Sequence, residues 1–509
     1  MGSAAERKPS LFTNAISSYA ALGMNIIVVF FLTPIVIRYV GKPGYGIWQL
    51  IRDIVGYYGL LYLGVSTAVT RYVSFYASKE DKDSLNDIIT NSLYIFTGTG
   101  ILVILVSYML AGPASHFFRV PPDLIGDFKR VIQIMGWATA VTFLAEMFNS
   151  ILTAYELFIP ANSVKILAEI VRGLTIPGLL ILGMGVPGVA LGMLASQLVI
   201  FIGSTVLVFK LIPDIRLRLT QASLKQFSLL FNYSGITMLV VLGDYFRMNL
   251  DSFVIGKWIG MEEIAVFGIA ATLIKYMFAL IFSGMRVLRP RFTSLFAKNE
   301  MDDLRFLFRN SLTVASFLAF GCATGAVIFG GSFINLWVGE GFEKSMIILV
   351  ILVIPFAFDL AQNPGIELLY AVNKHKFYAY SNFAEASMNL ILSILLVHEY
   401  GIVGVAIGTA LPMIFIKLFV QPLYISRIIG LSYLEYFWHQ LPPVAAMVSV
   451  VGISVGLVAG IRQADSIVQM IIKIIPVACS YVFLAFLLIG KNKRKVLMEP
   501  VMVRIRRFT

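Results

Sequence analysis

Residues 185–210 read GVPGVALGMLASQLVIFIGSTVLVFK, a run with no charged residue before Lys210. A helix needs about 20 apolar residues to cross the hydrocarbon core of a bilayer, and a segment in lipid can satisfy its backbone groups only in a helix or a closed barrel. This run is long and lacks strict alternation of apolar and polar residues. It therefore predicts a transmembrane helix.

Runs of this kind follow one another along the whole chain. Of the 509 residues, 58% are hydrophobic and 13% are charged, and the mean hydropathy is +0.85. An ordinary soluble domain carries roughly a quarter charged residues. The sequence predicts an all-α polytopic membrane protein with no soluble domain and about 14 transmembrane helices. The predicted spans are 12–38, 46–72, 88–111, 129–154, 163–183, 188–210, 227–255, 264–288, 309–332, 345–370, 378–398, 403–426, 441–461 and 467–489.

The distribution of basic residues predicts the orientation. With the N-terminus inside, the cytoplasmic segments carry roughly three times as many Lys and Arg as the outer ones, as the positive-inside rule requires. We therefore expect a multi-pass protein of a bacterial or archaeal cytoplasmic (inner) membrane, with both termini cytoplasmic. The net charge of +12 needs no nucleic-acid partner, because a basic tail at 491–509 can lie against anionic lipid headgroups.

The chain also repeats itself. The first eight residues of the quoted run return as GIVGVAIG at 401–408, and at the same offset Ala168 and Glu169 return as Ala384 and Glu385. Just after two predicted cytoplasmic loops, at the start of the following spans, NSL at 91–93 returns at 310–312. The pattern predicts two six-helix lobes in parallel repeat, at 1–220 and 221–430, and an unrepeated helix pair at 431–490. Lobes related by an axis along the membrane normal are expected to enclose a cavity and to rock for alternating access.

Charged residues inside spans are costly and usually face a cavity or a partner. A basic cavity favours an anionic cargo, because desolvated Arg pairs best with phosphate or carboxylate. The alternative is that these charges form internal salt bridges. Lys165, Glu169 and Arg172 share one stripe and could be a structural network, whereas Lys417 and Arg71 lie near span ends and are expected to reach the interface. The substrate-binding candidates are Arg52, Arg247, Lys275 and Arg286, and the ion-coupling candidates are Asp53, Asp244, Asp251, Glu169 and Glu385.

Enzymatic and metal-binding motifs are not found. Cys322 and Cys479 make no metal spacing and are expected to be small packing residues, and the four histidines are scattered. No phosphate-binding loop, dinucleotide fingerprint or nucleophile elbow is present. We expect no metal, no cofactor and no enzymatic activity.

The N-terminal region resembles a known family. Residues 14–39, then VGKPGYGIW at 40–48, and Leu63 and Gly64 shortly before Arg71 and Tyr72, look like the start of the polysaccharide transporters of the multidrug/oligosaccharidyl-lipid/polysaccharide exporter superfamily. The resemblance implies the six-plus-six repeat with an added helix pair. It also implies an ATP-independent flippase for undecaprenyl-pyrophosphate-linked oligosaccharide, in O-antigen, capsule or exopolysaccharide synthesis. A polysaccharide polymerase and export machinery are potential partners.

Three other functions stay open at this point. Lipid II flippases share the fourteen spans and use cavity arginines, but no basic residue lies between Leu11 and Ile37, where they carry one. Ion-coupled multidrug extruders handle cations and often place an acidic residue in the first helix, and this chain has none there. A non-transporting scaffold for polysaccharide assembly is the third, and buried charge stripes argue against it.

Overall fold

A computed structural model describes residues 11–217, 224–456 and 464–488, and every regular element in these ranges is helical. A short 3-10 helix, Pro122–Leu124, precedes α4, and a π-helical turn, Ile416–Val420, joins α13 to α14. In chain order the helices are α1 (Leu11–Tyr58), α2 (Leu60–Ser78), α3 (Lys82–Phe117), α4 (Ile125–Ala154), α5 (Phe158–Ile181), α6 (Gly185–Leu211), α7 (Leu224–Trp258), α8 (Met261–Met285), α9 (Leu288–Ala297), α10 (Met301–Val338), α11 (Glu343–Ala361), α12 (Asn363–Ala371), α13 (His375–Phe415), α14 (Gln421–Ile429), α15 (Tyr433–Trp438), α16 (Leu441–Gly456) and α17 (Ile467–Leu488).

The helices confirm the predicted all-α membrane class. Helix underlies the body of each predicted span wherever that span is described. Among the described residues, eight helical segments are long and apolar enough to cross a membrane. The total of fourteen spans and the lobe arrangement stay predictions. The predicted lobe boundary at 220/221 and the basic tail at 491–509 lie outside the described residues.

The described chain packs as two compact units. Unit 1 contains the described residues up to Tyr245 together with Gly256–Ala265, and unit 2 contains Phe246–Ile255 together with the described residues from Val266 onward. In unit 1, α1 packs on α5, and α6 packs on both α4 and α5. In unit 2, α11 packs on α10 and α13, and the final helices α16 and α17 pack on each other and on α10.

The repeated sequence adopts the same local structure in both units. Gly185 at the start of α6 and Gly401 inside α13 both have a φ of 58°. Residues with a Cβ avoid this left-handed region, so glycine is the residue that fits. Gly401 lies at a kink in the middle of α13, and the helical segments on either side of it together form this helix. These repeated glycines therefore mark the same turn into a helix in each unit.

A second repeated glycine sets the close packing that follows each turn. A Cβ built at Gly192 would lie 2.4 Å from Cγ1 of Ile176 on α5. A Cβ built at Gly408 would lie 2.4 Å from Oγ and 2.6 Å from the backbone nitrogen of Ser393, in the first half of α13. Small residues let membrane helices approach closely. The repeated pattern thus sets the approach of consecutive helices in each unit.

We expect Gly408→Ala to destabilise the protein by about 1–3 kcal/mol, because the added methyl overpacks a backbone contact that has no flexible side chain to move. The measurement is the midpoint of thermal unfolding of the purified protein in detergent. Gly325→Ala on α10 is the matched control, since a Cβ there meets no atom within 4 Å. Its midpoint should be unchanged or slightly raised, as alanine favours helix by about 1 kcal/mol over glycine. Equal shifts in both variants would contradict the packing argument.

Candidate functional site

Unit 2 contains a cluster of four fully buried charged side chains, which we call the charge quartet. It consists of Arg247 on α7, Asp359 near the end of α11, Glu385 in the first half of α13 and Lys417 in the π-helical turn. The four side chains are at most 2% exposed. Two cations and two anions meet in an apolar unit, so the quartet is formally neutral.

Each cation of the quartet contacts both carboxylates. The Arg247 NH1 nitrogen lies 2.9 Å from Oδ2 of Asp359 and 3.3 Å from Oε1 of Glu385. The Lys417 Nζ nitrogen lies 3.0 Å from Oδ1 of Asp359 and 3.6 Å from Oε2 of Glu385. Lys417 also donates a hydrogen bond of 3.1 Å to Oε1 of Gln421. The quartet is therefore a closed ring of alternating charges.

The backbone is irregular beside the quartet. Helix α11 ends at Ala361 and α12 begins at Asn363, so the helical path breaks one turn after Asp359. The side-chain amide of Gln362, at this break, donates a hydrogen bond from Nε2 to the backbone carbonyl of Lys417. Irregular backbone at membrane depth is tolerated where protein groups satisfy it, and π-helical turns are frequent at functional sites.

Buried ion pairs gain little net stability, because desolvation cancels most of the Coulomb attraction. Removing one partner is different, since it leaves an uncompensated buried charge and costs about 3–5 kcal/mol. The quartet is therefore stable when all four charges are present or when a cation and an anion are lost together. Protonation of a carboxylate has the same effect as removal of one negative charge.

A second buried cluster lies one helical turn along the same two helices. Asp251 follows Arg247 by four residues on α7, and Asn389 follows Glu385 by four residues on α13. The Asp251 Oδ1 oxygen accepts hydrogen bonds from Thr409 at 2.8 Å and from Asn389 at 3.3 Å. We call Asp251, Asn389, Thr409 and Ser393 the Asp251 cluster.

The Asp251 cluster is rich in oxygen. Ser393 donates a hydrogen bond of 2.7 Å to Oδ1 of Asn389, and its hydroxyl also lies 3.3 Å from the carbonyl of Val405. Its four side chains are buried. Carboxylate, carbonyl and hydroxyl oxygens are hard ligands that suit hard cations. Among the described residues, no group of three or more His, Cys, Asp or Glu is arranged to hold a metal ion.

In unit 1, the glutamate that the sequence repeat relates to Glu385 has a different kind of ion-pair partner. Glu169 on α5 forms a salt bridge with Arg172, three residues later on the same helix, and accepts a hydrogen bond of 2.9 Å from Asn25 on α1. The predicted stripe on α5 is thus confirmed as an ion-paired network for these two residues. Glu169 and Glu385, which the sequence repeat relates, both bind an arginine.

A partly open cavity of about 80 Å³ in unit 1 is lined by both Arg52 and Arg172. A water needs only about 10–15 Å³ of such volume, so this space holds several waters or a small polyatomic group. Arg52 donates a hydrogen bond of 2.7 Å to Oε1 of Gln49, which is itself buried. The other lining residues are apolar or aromatic apart from Thr33, and none of the lining residues is a carboxylate: Val29, Leu32, Thr33, Val36, Tyr45, Trp48, Ile176, Val189 and Met193.

The remaining predicted residues lie in different surroundings. Asp53 is buried in unit 1, and its backbone carbonyl accepts a hydrogen bond of 3.3 Å from the Tyr245 hydroxyl. Asp244 is half-buried on α7. Lys275 is half-buried on α8 and donates a hydrogen bond of 3.1 Å to Oδ1 of Asn249.

Two expectations from the sequence are wrong. Arg286 does not lie within the eighth span, because α8 ends at Met285 and Arg286 is exposed in the following turn, with its guanidinium 5.4 Å from the Phe282 ring centroid. Lys417 does not reach the interface, because the π-helical turn directs its amine into the quartet, where two carboxylates stabilise it.

Sequence reasoning did not select Asp359 or Lys417 as site residues. The available signal was an acidic residue, Asp359, in the middle of the apolar run 345–370, and the single charged residue Lys417 in the run 403–426. An intramembrane ionisable residue is by default a candidate for a functional site with a partner to be found. The partner could not be named without the tertiary structure.

Comparisons with known proteins agree with this architecture. The family model described as "Polysaccharide biosynthesis protein" matches residues 26–347. The "Uncharacterized membrane protein EpsK" of Bacillus subtilis is 22% identical over 96% of this chain and 97% of its own length. The "Putative O-antigen transporter" of Shigella flexneri is 21% identical over 76% of this chain and 91% of its own length.

The fold is also similar to a solved structure of the "Lipid II flippase MurJ, inward closed conformation". The TM-score is 0.67 at 14% identity, and the match covers 96% of this chain and 100% of that one. A likeness at this identity shows the fold and not the substrate. Since the family model matches well over half of the chain, the protein belongs to the polysaccharide transporter family of the multidrug/oligosaccharidyl-lipid/polysaccharide exporter superfamily.

Proposed function

We propose that the protein is a flippase that moves undecaprenyl-pyrophosphate-linked oligosaccharide across the cytoplasmic membrane by alternating access, for O-antigen, capsule or exopolysaccharide synthesis. The observation that carries the proposal is the cavity of unit 1 that Arg52 and Arg172 line. A relative named as a putative O-antigen transporter supports the class of cargo.

The cavity chemistry favours an anion. Arg presents a planar fork of donors that matches phosphate oxygens, and charge-assisted bonds of this type are roughly twice as strong as neutral ones. A cationic drug would meet repulsion, since like charges 4 Å apart repel by roughly 4 kcal/mol at an effective dielectric constant of 20. This separates the proposal from a multidrug extruder. A lipid II flippase also carries a pyrophosphate, so the attached glycan must separate that alternative.

The other basic candidates take different parts in the proposal. Arg286 is exposed beyond α8, where it could meet the pyrophosphate first from the cytoplasmic side. Lys275 is half-buried and could contact the cargo during passage. Arg247 is 2% exposed and contacts two carboxylates of the quartet, whereas Arg172, although paired with Glu169, lines the cavity. We therefore assign Arg247 to coupling rather than to direct binding.

Coupling is proposed for the two buried clusters of unit 2. Protonation of Glu385 would leave the quartet with one excess positive charge and favour a rearrangement. The Asp251 cluster offers oxygen ligands to a small monovalent cation. Glu169, Asp53 and Asp244 remain coupling candidates. An ion that binds one conformation better than another shifts their populations, as coupled transport requires.

The polyprenyl tail is proposed to follow the unrepeated helix pair. A groove of about 310 Å³ lies between α16 and α17 in unit 2, lined by apolar side chains and two serines. An apolar lining lets a lipid chain move from the bilayer into the groove without leaving an apolar environment. The lining residues are Val450, Ile453, Ser454, Pro476, Val477, Ser480, Phe483 and Leu484.

The proposed orientation predicts which loops are accessible from each side. In a variant with Cys322 and Cys479 replaced by serine, a cysteine at Ser78 should react with an impermeant maleimide only after the cytoplasmic side is opened. A cysteine at Glu340 should react in intact cells. The native residues at both positions are exposed. A cysteine that does not react with the maleimide is therefore on the other side of the membrane and is not simply buried. Labelling of position 340 only from the cytoplasm would overturn the topology.

Deletion of the gene should abolish a surface or secreted glycan, and lipid-linked oligosaccharide should accumulate on the cytoplasmic face. Arg52→Ala and Arg172→Ala, expressed in the deletion strain, should each restore less than about a tenth of glycan export, because losing a buried charge contact to the cargo costs at least 1.4 kcal/mol. Arg119→Ala is the control, since Arg119 is exposed and lies outside the cavity.

Immunoblots of membranes separate loss of export from loss of protein. Intact glycan in the deletion strain, with raised sensitivity to cationic dyes, would reassign the protein as a drug extruder. Arrest of peptidoglycan synthesis with an unchanged surface glycan would reassign it as a lipid II flippase. Wild-type export by both arginine variants would remove the anion-binding role of the cavity.

Charge-balanced variants test the quartet. Lys417→Met leaves a buried negative charge and should cost about 3–5 kcal/mol of stability, whereas Lys417→Met combined with Glu385→Gln removes one charge of each sign and should recover most of it. Thermal unfolding measures this recovery, and glycan export is measured in parallel. A coupling role predicts that the double variant is stable yet exports less than about a tenth of the glycan, a loss of at least 1.4 kcal/mol. Normal export by the stable double variant would make the quartet purely structural.

A further inference from the structure

Unit 1 has a second concave surface, which we call the end groove. It lies between α3, α4 and the start of α6, at the end of the unit where the α3–α4 and α5–α6 connections run. Its volume is about 520 Å³, within the range of small-molecule sites. The groove is separate from the cavity of Arg52 and Arg172, with which it shares no lining residue.

The end groove has an aromatic floor. Trp137 on α4 and Tyr108 on α3 are 49% and 51% exposed, and the indole nitrogen of Trp137 donates a hydrogen bond of 3.4 Å to the Tyr108 hydroxyl. Both rings present an apolar face together with a polar atom. Large aromatic rings with this much free surface offer faces on which a ligand can stack.

A polar rim stands above the floor along one face of α4. The rim consists of Asp127, Arg130 and Gln133, which are spaced three residues apart on α4, on the N-terminal side of Trp137. Residues at this spacing lie along one stripe of a helix. The Arg130 NH1 nitrogen lies 3.8 Å from Oδ1 of Asp127, which is beyond hydrogen-bond distance. Both groups therefore keep hydrogen-bonding capacity for a ligand.

The charge balance of the rim identifies the class of ligand. One acid and one base line the groove, so the groove is close to neutral and attracts an anionic lipid headgroup only weakly. The Asp127 carboxylate accepts hydrogen bonds, the Arg130 guanidinium donates them and the Gln133 amide can do both. This combination matches a ligand whose hydroxyl groups both donate and accept hydrogen bonds. A sugar ring has such hydroxyls around its edge and a flat C–H face to lie on an aromatic ring.

We propose that the end groove binds neutral sugar residues of the glycan at the outer surface of the membrane. That the occupant is the transported glycan, and that this end faces outward, both rest on the proposed function. The neighbouring Ile181 and Leu182 are 69% and 76% exposed, as expected of a segment that dips into the bilayer interface. The groove thus lies where a flipped glycolipid would extend its sugars, and it would hold the glycan as the lipid returns to the bilayer.

The test uses the full-length protein in phosphatidylcholine nanodiscs. The probe is the oligosaccharide released by mild acid from the host's own lipid-linked precursor, and its binding is followed by saturation-transfer NMR and titration. Trp137→Ala should raise the Kd about tenfold, because stacking and the area buried on the ring are both lost. Gln133→Ala should also weaken binding. Trp438→Ala is the matched control, since Trp438 is 65% exposed in unit 2 and should leave the Kd unchanged.

Size-exclusion profiles and thermal unfolding confirm that each variant is folded. An unchanged Kd in both Trp137→Ala and Gln133→Ala, or an equal loss in Trp438→Ala, would overturn the proposal, as would absence of binding by the wild-type protein. If phosphatidylglycerol in mixed nanodiscs displaces the probe, and Arg130→Ala abolishes this displacement, the groove is a lipid headgroup site instead. These results are independent of the gene deletion, so the groove can fail while the flippase assignment stands.

Discussion

A charge in the apolar interior of a membrane protein must have a partner, and this constraint governs the structure of unit 2. Arg247, Asp359, Glu385 and Lys417 come from four separate helical segments, and each is at most 2% exposed to solvent. Their mutual contacts keep α7, α11, α13 and the π-helical turn in one arrangement. The break between α11 and α12 lies beside the quartet, so backbone irregularity and buried charge occur together.

The two repeats share their packing and differ in their charges. The glycines at the turn and at the helix contact behave alike in both units. Glu169, however, binds an arginine on its own helix, whereas Glu385 binds one on a different helix. The first arrangement leaves Arg52 and Arg172 lining a cavity, and the second closes its charges into a ring. We infer that duplication supplied the shared scaffold and that the charged residues of the two repeats have since diverged.

Fold and substrate rest on different kinds of observation in this superfamily. The likeness to a lipid II flippase at 14% identity extends over nearly the whole chain, yet it describes helix packing alone. Substrate class depends on the few side chains that line cavities, which can change while the scaffold is kept. In the two proposals above, the cavity arginines bind the pyrophosphate and the aromatic end groove binds the sugars. Together they fit a cargo that has both parts.

The sequence by itself determined the membrane class, the helical segments and the repeat, because these depend on apolar run length and on matches along the chain. It also placed Arg52, Glu169 and Glu385 among the candidates, since a charge within an apolar run is conspicuous. The pairing of Arg247 with Asp359 and of Lys417 with Glu385 was decided only by the tertiary structure. These partners lie far apart in sequence, and the π-helical turn that redirects Lys417 has no local signature. The position of Arg286 just beyond α8 was likewise seen only in the structure, because apolar residues continue past Met285 and do not mark the end of the helix.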